Sequence, residues 1–406
     1  MATDHALVVP AVRFEEHQWV AEADGRTSRA ALARGSGAYR SAIPARITDL
    51  ALTLPTDLAA DAEEAAAALA TFDAYARGAL GPNSTALGPM SSILLRTEST
   101  SSSQIENLTV GARQLALAEI DEGSSANAEV VVGNVRAMEA ALRLAGNLDQ
   151  DAIRQMQAEL ISRQSGWERH AGVYRDQLVW IGSRSVSPLG ASYVAPQSKL
   201  IPGAMADLVT FIRRQDLPVV VQAAIAHAQF ETIHPFADGN GRTGRALVHA
   251  ILRSKRLVTN TTAPVSAGLL HDTERYFEAL QTYRQGDARP IVERFNDASR
   301  YAAHTGSRLV DALAEQLDVA RDKMSGVRPQ AQAWTVLPLL ITHPVVNAKF
   351  LTDTLGMNDT AAQRTLRTLV EAGVLEERSG KRRNRVWQHQ GILTVLDDYA
   401  EQVQRR

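Results

Sequence analysis

The sequence predicts an all-α protein interrupted by one small β-hairpin and followed by a C-terminal winged-helix domain. Three observations carry this. Alanine and leucine dominate, and alternating valine- and isoleucine-rich runs are few. Most segments between turn signals read as helices. From about residue 331 the pattern shifts to short helices followed by two β-prone stretches around a basic turn.

Taken in order, residues 1–98 form an N-terminal, mainly helical region. Its first 55 or so residues read as irregular, with "RGSGAYRSAIPARI" as loop. "TDLAADAEEAAAALATFDAYARGAL" reads as a helix capped by Thr56 or Asp57. A second helix is expected to begin after the serine cluster in "STSSSQIENLTVGARQLALAEI", and "SANAEVVVGNVRAMEAALRLAG" and "DQDAIRQMQAELISRQ" are two more. "LVWIGSRSVSPLGASYV" has β-prone ends around a Ser/Pro/Gly turn, which predicts the hairpin. "IPGAMADLVTFIRRQ" returns to helix. Val219 to Ile233 is apolar almost all round, as in a helix buried at the centre of a domain. In "RTGRALVHAILRSKR", Arg242, Arg245, His249 and Arg253 share one helical face, and Leu247, Val248, Ile251 and Leu252 the other.

Composition bounds the function. The chain has 406 residues and a formal net charge of -2, which argues against a globally basic nucleic-acid coat but not against a local basic patch. It has no cysteine, hence no disulfide and no thiolate metal site. The N-terminal stretch lacks the basic start and apolar run of a secretory signal, and the longest apolar stretch is too short to span a bilayer. A cytoplasmic protein with no membrane partner is expected.

The chemistry concentrates in "HPFADGNGRTGR", His234 to Arg245, a loop between two predicted helices. A helix N-terminus offers unpaired N–H groups and a positive dipole end to anions. Gly239 and Gly241 let successive amides turn inward as a nest. Arg242 and Arg245 lie near one another at that end, and two guanidiniums suit several phosphates better than one carboxylate. Asp238 makes sense there if it holds Mg²⁺ between phosphate oxygens. His234, at the end of the buried helix, is placed to take a proton from an attacking hydroxyl. The residues point to a nucleotide polyphosphate with Mg²⁺ and an incoming alcohol.

This stretch resembles the signature of the Fic (Fido) family, His-x-Phe-x-Asp/Glu-Gly-Asn-Gly-Arg-x-x-Arg, at every defined position. "AHAQFETIHPFADGNGRTGRAL" and "GVYRDQLVWIG" resemble the family as well, and the resemblance runs from about residue 40 to about 300. It implies the Fic fold, a catalytic core over 113–305, and transfer of AMP from ATP to a Ser, Thr or Tyr hydroxyl of a protein, which could be the chain itself. Carried over, His234 would be the base and Asp238 the Mg²⁺ ligand. Gly239, Asn240 and Gly241 would line the phosphate nest, Arg242 and Arg245 would grip the β- and γ-phosphates, and Phe236 would anchor the loop. Tyr276 and Phe277 resemble family positions around the adenine. Where relatives often carry an asparagine a turn or two later, this chain has Arg284. The predicted hairpin resembles the flap that lays a target segment over the site.

"SSQIEN", Ser102 to Asn107, resembles the family's inhibitory motif, Ser/Thr-x-x-x-Glu-Gly/Asn. The resemblance implies an inhibitory helix over 99–112 whose Ser102, Glu106 and Asn107 form the motif. Glu106 would pair with Arg245 where the γ-phosphate should sit, and could also aid AMP removal. A linker helix is expected over 306–330. Residues 331–406 then follow the winged helix-turn-helix plan. Gln363, Arg364 and Arg367 would face outward from its third helix, and Lys381, Arg382, Arg383 and Arg385 would form the wing. That domain could contact DNA or dock a protein, including a second copy of the chain. The alternative function is a DNA-binding regulator whose core only senses nucleotide; His234 argues against it, since sensing needs no base.

Overall fold

The computed structural model describes residues 6–21, 35–79, 87–123, 125–162, 164, 166–182, 187–378 and 385–404. In chain order its helices are α1 (Thr56–Gly78), α2 (Leu87–Ile105), α3 (Ala112–Glu119), α4 (Ala126–Leu144), α5 (Gln150–Ile161), α6 (Ile201–Arg213), α7 (Val219–Ile233), α8 (Asn240–Ser254), α9 (Val265–Leu270), α10 (Thr273–Gln285), α11 (Arg289–Lys323), α12 (Ala333–Val336), α13 (Leu339–Thr342), α14 (Ala348–Leu355), α15 (Asp359–Glu371) and α16 (Gln390–Gln404). The chain divides into two compact units. One comprises Met1–Glu63, Ala140–Lys255 and Glu274–Asn296, and the other Glu64–Glu139, Arg256–Thr273 and Asp297–Arg406. Among the described residues no helix is long and apolar enough to cross a membrane.

In the first unit, α7 is buried from Val220 to Ile233, as its unbroken apolar run predicts. The helix α8 is also buried on both sides: Arg242, Arg245 and His249 are only 3–4% exposed, so its polar face is not a solvent face. The two helices approach closely at Gly244, where a Cβ would lie 2.9 Å from Phe230 Cδ1 and 3.1 Å from Glu231 Oε1. The predicted mid-chain hairpin is present but short, β3 (Trp180–Ile181) against β4 (Tyr193–Val194).

The N-terminal expectation needs correction. Residues 13–19 and 37–43 are not irregular: β1 (Arg13–Trp19) pairs antiparallel with β2 (Gly37–Ile43), from Arg13↔Ile43 to Trp19↔Gly37. The alternation is carried by His17, Trp19 and Tyr39 rather than by valine and isoleucine. His17 stacks on Tyr39 at 5.4 Å, and Trp19 meets Tyr39 and Trp180 edge-on.

The second unit corrects the serine segment. No new helix starts after the serines; α2 runs through them and ends at Ile105. Serine and threonine normally favour helix ends. Here their hydroxyls bond back to the preceding turn, Thr97 to Ile93 O, Ser99 to Leu95 O and Ser103 to Ser99 O, each at 2.9 Å. Asn134 then donates to Ser99 O and Ser103 Oγ. Burial of small hydroxylated side chains beside α4, with these three hydroxyls so satisfied, overrides local propensity. The expected 99–112 helix is therefore the last turns of α2, a turn, and the start of α3. Glu106 is half-buried in that turn, and Asn107 closes it with a left-handed φ of 61°.

At the C-terminal end, one expected helix is two short ones, α12 and α13, separated at Pro338, which lacks an N–H for the helical ladder. The caps of α14 and α15 are Asn347 and Asn358, whose Oδ1 atoms accept from Phe350 N–H and Ala361 N–H. Three two-residue strands, β5 (Val345–Val346), β6 (Glu376–Glu377) and β7 (Trp387–Gln388), make an antiparallel sheet in the order β5-β7-β6. A closing helix, α16, was not expected. Ala116 and Ile120 share a core cluster with Val345, Val386 and Leu393, so 331–406 packs with α3 rather than standing apart. Arg364 and Arg367 are exposed on α15, while Lys381, Arg382 and Arg383 lie outside the described residues. The expected linker helix is the continuation of α11, which begins at Arg289.

Candidate active site

The geometry begins at the end of α7. His234 closes that helix in the left-handed region, φ 49° and ψ 60°, with its N–H on Phe230 O at 2.8 Å. A side chain there costs about 1–2 kcal/mol unless its surroundings hold it. Side chains claim three of the carbonyls at this helix end. Arg284 Nη2 donates to Glu231 O at 3.3 Å, Tyr193 Oη to Thr232 O at 2.5 Å, and Arg175 Nε to His234 O at 2.8 Å. Arg175 also donates its backbone N–H to Pro235 O, and its remaining guanidinium nitrogens to Gln177 O and Pro196 O. It is 3% exposed, and burial pushes its pKa down to about 10, still charged at neutral pH.

These clamps were missed in the sequence. Arg175 stands in "GVYRDQLVWIG", which the resemblance singled out without a role. Arg284, read as a departure within the nucleotide pocket, instead lies 3.8 Å over the Tyr193 ring and caps α7. Glu231, three residues before His234, offered a signal of its own: the spacing puts both on one side of the helix.

Glu231 Oε2 lies 3.6 Å from His234 Nδ1, an electrostatic contact longer than a hydrogen bond. Burial would raise the Glu231 pKa, but the neighbouring His234 above all, with Arg245 beside it, holds it at about 2. An ionised carboxylate there favours a proton on Nδ1 and leaves the Nε2 lone pair available as a base. His234 keeps a side-chain exposure of 20%, enough to be reached.

The loop beyond His234 is braced by reciprocal bonds. Asn240 Oδ1 accepts from Phe236 N–H at 2.9 Å, and Asn240 Nδ2 donates to Phe236 O at 2.8 Å. The Phe236 ring is fully buried between Tyr174 and Phe230. Gln157 ties the loop to α5, donating to Asp238 O and accepting from Gly172 N–H. Gly239 caps α8 at φ 79°, and a Cβ there would lie 2.5 Å from Leu160 Cδ2. Gly241, expected to share that left-handed role, sits in the first turn of α8 without a positive φ. The Asp238 carboxylate is 38% exposed, and Arg242 Nη2 donates to it at 3.4 Å.

His227 and Tyr276 belong to the core. His227 Nε2 is 2.7 Å from Tyr276 Oη, and its ring packs on Tyr276 and Phe295. Tyr276, expected beside an adenine, is 1% exposed, whereas the neighbouring Phe277 is 48% exposed. Burial, with help from Arg245 and against the Glu231 charge, pushes the His227 pKa down to about 4. The unfolded chain therefore binds a proton at this histidine between about pH 6.5 and 4 that the folded chain does not. Stability should fall through that window as pH drops, by about 1.4 kcal/mol per unit at most. His343 and His389 are also pushed down by burial, to about 3 and about 4. We thus expect His227→Gln to show a shallower, not flat, loss of urea midpoint from pH 7 to pH 5. A slope equal to that of the unaltered chain would show that His227 is not buried neutral.

The fold and this site place the chain among helical proteins that set a histidine beside an anion-accepting helix N-terminus. The model of the Fic/DOC family matches residues 147–252, and that of the Fic/DOC family N-terminal region matches residues 59–143. Together the two matches cover most of residues 59–252. It is 35% identical over 112 residues to a probable protein adenylyltransferase of Aquifex aeolicus, covering 26% of this chain and 31% of that one. It is 36% identical over 90 residues to the protein adenylyltransferase Fic of Nematostella vectensis, covering 22% of this chain and 18% of that one. The chain thus spans less than a third of the length of these relatives. A crystal structure of a Fic family protein from Desulfovibrio desulfuricans superposes with a TM-score of 0.50 at 23% identity, over 83% of this chain and 97% of that one, which establishes the shared fold.

Proposed function

We propose that the chain transfers AMP from ATP to a Ser, Thr or Tyr hydroxyl of a protein. The observation that carries this is His234, fixed in a left-handed conformation by Arg175 beside the glycine-capped start of α8, with Glu231 at its Nδ1. Relatives named protein adenylyltransferases support the reaction class. The target hydroxyl attacks the α-phosphorus, its proton passes to His234 Nε2, and pyrophosphate leaves. Arg242, Arg245 and the α8 amides would neutralise the departing phosphates. Among the described residues no three His, Asp or Glu side chains cluster as a metal cage. One half-exposed carboxylate beside a phosphate site does suit Mg²⁺, which takes few protein ligands and completes its shell with phosphate oxygens and water. Asp238 would hold it there, where it would neutralise phosphate charge. The test is intact-mass and peptide analysis of the purified chain after ATP and Mg²⁺; absence of added AMP on itself and on every candidate target would refute the reading.

Ser102–Asn107 would be the brake, with Arg245 as the proposed target of Glu106. In support, Glu106 sits in the turn that ends α2, followed by Asn107 at φ 61°. We expect Glu106→Gly to raise AMP incorporation, self-modification included, by about ten-fold or more, the scale of one well-placed charge. Unchanged incorporation would remove Glu106 from regulation. The helix and strand order of 333–404 supports a winged helix, whose exposed Arg364 and Arg367 would meet DNA phosphates.

A further inference from the structure

In the second unit, α2, α3, the turn after α13 and α16 line a cleft open to solvent on one side, whose inner cavity of about 50 Å³ is several times the space one water molecule needs. Ile93, Val110, Leu115 and Leu396 give it apolar walls, and Arg96 and Glu119 bring a buried ion pair to it. Arg96 Nε meets Glu119 Oε1 at 2.6 Å, with the two side chains 12% and 9% exposed. Arg96 Nη2 contacts His343 Nδ1 at 3.4 Å. Arg96 Nη1 is buried with no hydrogen-bond partner among the described residues. Asp397 also lines the cavity, but its Oδ1 is engaged by Ala112 N–H at the start of α3.

We propose that this cavity binds a small carboxylate with an apolar body, the carboxylate accepting from Arg96 and the body packing on Ile93, Val110, Leu115 and Leu396. A guanidinium presents five donors in a fixed fork, and a buried donor without an acceptor is a defect that a ligand oxygen repairs. A neutral apolar guest would leave the defect in place, and an amine would face the guanidinium. Glu119 can accommodate the newcomer. Burial, opposed by Arg96 and reinforced by Glu139, brings its pKa up to about 7, so it can take a proton when a second carboxylate shares Arg96. The wall includes Thr97, Thr100 and Ser101, the turns of α2 that lead directly into Ser102–Asn107. A guest therefore touches the helix that carries the proposed brake.

The test uses the full chain, with benzoate and isovalerate as probes and benzamide and benzylamine as controls. Calorimetric titration should show saturable binding of at least one carboxylate, at least ten-fold weaker binding of benzamide, and none of benzylamine. Hydrogen exchange should slow in residues 93–119 and 396–400. Arg96→Met should weaken carboxylate binding at least ten-fold. Ala116→Leu, which keeps the guanidinium and fills the cavity, should do the same and serves alone if Arg96→Met does not fold. No saturable binding of either carboxylate, equal binding of benzylamine, protection elsewhere only, or full affinity in Ala116→Leu would each overturn the proposal.

Discussion

Replacement of His234 by alanine should lower AMP transfer by about 10²–10⁴-fold, the usual worth of a positioned general base, with nucleotide affinity changed only a few-fold. The side chain is 20% exposed, so its removal should cost less than loss of a fully buried ring. The backbone is the confounder, because residue 234 sits at φ 49°. Alanine there costs about 1 kcal/mol that asparagine, tolerant of the left-handed region, largely avoids. His234→Asn is the cleaner variant: it keeps the helix end and deletes the base. Both variants should lose transfer alike while melting within a few degrees of the unaltered chain. Transfer within ten-fold of normal by His234→Asn, measured with labelled ATP, would show that the histidine takes no proton.

The second large effect is expected at Arg175, which no motif marks as catalytic and which touches no reacting atom. Its side chain donates to the carbonyls of His234, Gln177 and Pro196, backbone partners rather than a carboxylate. Arg175→Met removes the donor from the buried Pro196 carbonyl and from the part-buried His234 and Gln177 carbonyls, at about 1–3 kcal/mol for each that water does not reach. A loss of at least 3 kcal/mol in unfolding free energy is expected. Arg175→Lys restores one bond at most, because an ammonium cannot span three directions from one planar fork. It should fold and lose kcat by about a hundred-fold through misplacement of His234, with the KM for ATP nearly unchanged. Normal kcat in Arg175→Lys would mean the left-handed histidine holds its place without this clamp.

The legibility of the site follows from where its parts lie in the chain. His234, Phe236, Asp238, Gly239 and the two arginines fall within twelve consecutive residues, so one turn between two helices brings them together and local pattern suffices. Arg175, Tyr193 and Arg284 reach the end of α7 from three other segments. Each donates to a backbone carbonyl, and every residue carries one, so no partner residue type betrays the contact in the sequence. Asn240 was placed among phosphate-lining groups, and its side chain proves to brace Phe236. The Arg242 and Arg245 face was read as the polar side of an amphipathic helix, yet it is buried. Periodicity sorts apolar from polar residues and is silent on whether a polar stripe meets water or a site.

Residue chemistry at short spacing thus settled the mostly helical class, the buried central helix, the histidine-to-arginine loop and the resemblance to the Fic/DOC family. These depend on side chains a few positions apart, whose relation the backbone geometry of one helix or turn already dictates. The tertiary structure alone decided the pairing of β1 with β2, the passage of α2 through its serines, the core shared by α3 and the C-terminal strands, and the clamp that sets the angle of His234. Those depend on partners tens of residues away, and their free energy arises only once distant groups have been brought together and water removed from between them.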